Sequence, residues 1–154
     1  MNIERENIKR ALHQLCREFL NRQITNLNIA LKAAQDSGSD ETKSTTGDKH
    51  ETGRAMMQLE QEKIGHQLKE LNIVSERLDR IPIEIHEEKI IPGNVVLTDK
   101  GNFYLAIAAG KLEHEGKTYF AVSPASPLGA ALLNSGAGSS VNINSNSFRL
   151  LETF

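Results

Sequence analysis

The chain has 154 residues, room for one ordinary domain or two small ones. It is 38% hydrophobic and 25% charged, with 5% aromatic residues and no Trp, which suits a folded protein without one large core. A net charge of -2 supplies no basic field for nucleic acid, and the single cysteine rules out an internal disulfide and argues against a cysteine-based zinc site.

The opening run Met1-Asn2-Ile3-Glu4-Arg5-Glu6 is charged and lacks the apolar core of a signal peptide. No apolar run approaches the ~20 residues of a membrane helix, so the expected location is the cytoplasm, with no membrane partner.

Apolar residues recur at Ile8, Leu12, Leu15, Phe19, Leu27, Leu31 and Ala34. Steps of three and four, and their multiples, mark one face of a helix. That helix is expected from about residue 3 to 35, on the order of 50 Å long at ~1.5 Å per residue. Cys16 lies within it and reads as a small packing residue rather than a nucleophile.

Residues 36–48 carry no apolar side chain. Their Ser, Thr, Asp and Gly compete with helix through local side-chain bonds and turn geometry, so an acidic loop is expected there. A second helical series follows at Met57, Ile64, Leu68, Leu71, Val74 and Leu78. Asp48 and Glu51 have the spacing of a capping box at its start. Two amphipathic helices joined by a polar loop predict an antiparallel coiled-coil hairpin over residues 1–80, burying one stripe per helix.

Ile81-Pro82 ends the second helix. Residues 81–92 read as a linker or an edge strand, and Pro92-Gly93 as a turn. Short strands are expected at Asn94–Thr98, Phe103–Ala108, Lys117–Val122, Val141–Asn144 and Phe148–Glu152, with turns at Asp99–Asn102 and Glu115-Gly116. A short helix interrupts them at 126–133, with Ser126 suited to the N-cap and Pro127 to the first helical position. The fold class is therefore α+β: a helical hairpin, then a small β-rich domain over 93–154 built of antiparallel strands around one helix.

The run Val122-Ser123-Pro124-Ala125-Ser126-Pro127-Leu128-Gly129-Ala130-Ala131-Leu132-Leu133 resembles the C-terminal signature of the GreA/GreB transcript-cleavage factors. In that family the signature lies between strands of an FKBP-like domain. The expected hairpin is similar to the family's coiled coil, whose tip carries acidic residues. Residues 40–55 occupy the matching place but depart from the usual tip sequence. Asn134 to Ser140 keeps the glycines of the following turn without its Lys and Asp.

The resemblance implies a transcription elongation factor that binds RNA polymerase as a monomer. Its coiled coil would enter the secondary channel and promote cleavage of backtracked RNA, meeting nascent RNA and DNA only inside the elongation complex. It would not be an enzyme itself and would own no cofactor. Its tip carboxylates would help hold a Mg²⁺ of the polymerase site. Mg²⁺ takes hard oxygen ligands and is often held by one or two carboxylates plus phosphates, and a second metal stabilises the attacking and leaving oxygens of a phosphodiester.

The tip candidates are Asp40 and Glu41, then Asp48, with Asp36 and Glu51 behind. Capping is the alternative role for Asp48 and Glu51, and a solvated helix end the alternative for Asp36. Lys43 and Lys49 offset part of the tip's negative charge. Ser126, Pro127, Leu128 and Gly129 are the polymerase-docking candidates. Two other readings stay open: a regulator that occupies the channel without cleavage, and a coiled-coil protein that pairs with another helical partner. The five histidines are scattered without zinc-ligand spacing, and Gly136-Ala137-Gly138 lacks the Lys of a phosphate loop.

Overall fold

A computed structural model describes residues 2–42 and 47–154, with side chains over 2–37 and 52–154. The long helices come first: α1 (Asn2–Thr42) and α2 (Gly47–Arg80). Strands β1 (Val95–Thr98), β2 (Gly101–Leu105), β3 (Gly110–His114) and β4 (Lys117–Val122) follow. Helix α3 (Pro127–Leu132) precedes β5 (Ser140–Ile143) and β6 (Asn146–Thr153). The chain is thus α+β, with long helices before a six-stranded mixed sheet. Among the described residues, no helix is long and apolar enough to cross a membrane.

Both helices run further into residues 36–48 than the polar composition implies. Extending a helix adds a hydrogen bond for each residue ordered once the nucleus exists. Propensity differences of under ~1 kcal/mol per residue do not stop it at Asp36. Asp40 and Glu41 therefore fall in the last turns of α1, and Asp48 in the first turn of α2 rather than ahead of it.

The structure forms two compact units, residues 1–19 with 76–154, and residues 20–75. The start of α1 and the end of α2 belong to the same unit as the sheet.

In the 20–75 unit a single stripe of each helix is covered. Over residues 20–34 only Leu20, Ile24, Leu27, Leu31 and Ala34 are buried or half-buried. Over 57–71 only Met57, Gln61, Ile64, Leu68 and Leu71 are. The steps alternate between four and three, a strict 3.5-residue repeat. Gln61 Nε2 donates to Ala34 O at 3.5 Å. Burying Ile64, 2% exposed, contributes roughly 1.5–3 kcal/mol.

In the other unit the sheet order is β3-β4-β2-β1-β6-β5. All neighbouring pairs are antiparallel except β2 and β4, which run parallel with Phe103 opposite Phe120. The expectation of a purely antiparallel domain is corrected here. Strand β3, with Leu112 its one apolar residue, was not expected; it pairs outside β4 and lets β4 return beside β2. Strand β2 ends at Leu105 rather than Ala108.

One sheet face forms a core of Ile90, Val96, Phe103, Leu105, Leu132, Val141 and Leu150, against which Leu128, Ala131 and Leu133 around α3 pack. The alternate residues Val95, Tyr104, Tyr119 and Ala121 are buried on the other face. The start of α1 lies there: the Arg5 guanidinium sits 5.0 Å from the centroid of the Phe154 ring and 3.7 Å from Glu152 Oε1.

Residues 81–92 are neither a free linker nor a strand. Ile90 is fully buried, its N–H donates to Ser135 O at 2.8 Å, and its carbonyl accepts from Asn134 N at 2.9 Å. A buried backbone without a ladder must find such partners. Gly93 closes the segment at φ +101, and a Cβ there would come within 2.5 Å of Pro82 O, so only glycine fits.

Candidate functional site

The acidic candidates separate into those with described side chains and those without. Asp36 is exposed on α1. The side chains of Asp40, Glu41, Asp48 and Glu51 lie outside the described residues, as do Lys43 and Lys49. What the backbone gives is the placement of Asp40 and Glu41 at the end of α1 and of Asp48 and Glu51 at the start of α2. Among the described residues, no group of three His, Cys, Asp or Glu side chains is arranged to hold a metal ion.

The second candidate, Ser126 to Gly129, is described in full. Ser126 is the N-cap of α3: its backbone is extended and its Oγ accepts from Gly129 N at 3.0 Å. The same hydroxyl donates to Ser123 O at 2.7 Å, tying the helix start to the end of β4. Pro127 takes the first helical position, where the missing N–H costs nothing, and it is exposed. Leu128 packs on the core, and Gly129 is buried. A Cβ at Gly129 would overlap the Ser123 carbonyl, so this glycine is set by the close approach of two backbones. Each member of Ser-Pro-Leu-Gly thus has a local reason. Of the four, Pro127 is the exposed one.

A cluster that the apolar periodicity did not reveal lies along α1. Arg5, Lys9, His13 and Arg17 are spaced by four, which places them on one helix face. Arg5 Nη1 donates to Glu87 Oε1 at 2.8 Å. Lys9 Nζ donates to Glu84 O at 2.6 Å. His13 Nε2 lies 2.9 Å from Leu78 O, a carbonyl of the last turn of α2 that also accepts from Ile81 N at 3.1 Å. Arg17 pairs with Asp79. The spacing was readable in the sequence, but the partners are 62 to 82 residues away and were not.

Lys9 is 1% exposed, and Glu84 O is its one hydrogen-bond acceptor among the described residues. Burial pulls its ammonium down to about 8, against which the nearby Glu84 charge pushes it up. Cys16 is fully buried, and burial pushes its thiol up to about 12. Burial, and then the Cys16 thiol, raise the Tyr104 phenol as well. Neither group is set up as a nucleophile.

An aromatic group lies on the α3 side of the sheet. The Phe103 ring is 6.2 Å from Phe120 and 5.8 Å from Phe148, with Lys100 Nζ 5.7 Å from the Phe148 centroid. Phe120 is 41% exposed.

Comparison of the chain with protein-family models gives no match, and comparison with curated proteins gives none either.

Proposed function

We propose that this chain is a Gre-like accessory factor of RNA polymerase, in which α1 and α2 form an antiparallel coiled coil and the sheet with α3 forms an FKBP-like docking domain. The observation that carries the reading is the pairing of two features in one chain. One is the covered stripe in 4–3 spacing over residues 20–34 and 57–71, with Gln61 bonded to Ala34 O. The other is the Ser-Pro-Leu-Gly signature at the start of α3. A 3.5-residue stripe on each of two helices is the pattern of a left-handed coiled coil.

In this reading the coiled coil enters the secondary channel, and Asp40 and Glu41, with Asp48, deliver carboxylate oxygens to a Mg²⁺ of the polymerase. The metal would lower the barrier to hydrolysis of backtracked RNA by stabilising the attacking and leaving oxygens. The factor needs no metal site of its own. Pro127 and the residues around it would dock on the polymerase.

The test is cleavage in stalled, backtracked elongation complexes. The full chain is expected to bind core polymerase and accelerate RNA shortening, and Asp40→Ala with Glu41→Ala to abolish the acceleration while binding persists. Failure to bind polymerase would overturn the reading. Lys43 and Lys49 beside the carboxylates favour a second reading, a regulator that occupies the channel without cleavage. That reading expects binding and altered elongation, with no RNA shortening by wild type or variant.

A further inference from the structure

We infer that residues 81–90 form a strap that opens locally, independently of the sheet, and that buried Lys9 opposes its closure and makes that closure depend on pH. The inference is separate from the polymerase reading. The strap has no strand or helix of its own. It is held by Lys9 Nζ on Glu84 O, by Arg5 on Glu87, by Asn94 Nδ2 on His86 O at 2.7 Å, and by the Ile90 backbone bonds to Asn134 and Ser135.

Closing it has a specific cost. Lys9 is 1% exposed and has three protons to donate but one acceptor among the described residues. His86 Nε2 is buried with no hydrogen-bond partner. Each under-satisfied buried polar group disfavours the closed state. Opening returns both groups to water and uncovers Ile90, while the sheet keeps its ladders and the rest of its core. The strap is therefore the low-stability element of its unit.

The charged groups around the amine fix the sign of the pH effect. Glu84 comes from the strap itself and favours the ammonium. On α1, Arg5 is engaged with Glu87 and Glu152, and His13 with Leu78 O. From the buried sheet face, the phenols of Tyr104 and Tyr119 are pushed up by burial and stay neutral. Desolvation outweighs Glu84, so the closed state lowers the Lys9 pKa from 10.5 to about 8. The open strap then binds the proton more tightly than the closed one. Closure is disfavoured below the lower value and gains as pH rises through the window between the two.

The experiment uses the full chain with a buried reporter thiol in a Cys16→Ala background. Ile90→Cys reports the strap and Leu105→Cys the sheet; both positions are fully buried in the wild type. Labelling by a thiol reagent is measured against a free peptide thiol at each pH. The thiol at 90 is expected to be less protected than the one at 105, and its protection to rise about tenfold from pH 7 to pH 9 by linkage. Adding Lys9→Met is expected to raise protection at pH 7 and flatten the pH dependence. Amide exchange at Ile90 and Leu105 at pH 7, in wild type and in Lys9→Met alone, gives the same comparison without the reporters. Equal protection at both positions, or a Lys9→Met variant with unchanged pH dependence or with faster exchange at Ile90, would overturn the inference.

Discussion

At the scale of single residues, the Ser126–Gly129 turn makes the sharpest demands. Gly129 faces the Ser123 carbonyl with no room for a methyl group. Gly129→Ala forces backbone apart and is expected to lower stability by about 1–3 kcal/mol, read from urea unfolding. Ser126→Ala removes the N-cap acceptor and is expected to cost about 1 kcal/mol in the same measurement. Cys16 offers a check of burial without mutation. Its thiol, raised to about 12, is expected to resist a thiol reagent in the native protein and react once urea unfolds it. The residue types of the turn were readable in advance: Ser for a cap and Pro for a first helical position follow from local chemistry. The need for Gly129 was not, because it comes from Ser123 across a backbone contact.

At the scale of elements, apolar spacing located the helices and composition misjudged their ends. Leu27, Leu31, Ala34, Ile64, Leu68 and Leu71 all lie on the covered stripes. Asp36 to Thr42 joined α1 despite weak propensities, because extending a helix is easier than starting one. Ile64→Ala on the stripe is expected to cost about 2–5 kcal/mol. Leu59→Ala, 65% exposed on the same helix, is expected to stay within about 0.5 kcal/mol. Thermal or urea unfolding of the two variants measures the contrast. Among the strands, β4 was legible from its aromatic and β-branched residues. Strand β3 was not, because Gly110, Lys111, Glu113 and His114 form a strand only through their pairing with β4. The parallel register of β2 on β4 depends on that same unforeseen strand.

At the scale of the whole molecule, the two units do not follow the two compositional halves. The 1–19 and 76–154 unit takes its cover for Tyr104, Tyr119 and Phe154 in part from the start of α1. A chain in which a short Gly-Ser loop replaces residues 20–75 is expected to keep a cooperative unfolding transition. A fragment of residues 81–154 is expected to lose it, since one apolar sheet face is then bare. Circular dichroism and analytical sedimentation distinguish the two outcomes. Helical periodicity ends near residue 80. Which ends of the helices belong with the sheet depends on contacts such as Arg5 with Phe154, which no periodicity carries.

The discontinuity of that unit also sets an order of assembly during synthesis. Residues 20–75 are contiguous and can pair as soon as α2 has left the ribosome. The sheet must wait for β1 to β4, which pair with one another, and β6 then adds the second neighbour of β1. Until β1, β2 and β4 are made, the start of α1 lacks the sheet face formed by Val95, Tyr104 and Tyr119. The nascent protein therefore passes through an interval with an exposed helical face, and a chaperone that holds amphipathic helices would find its opening there.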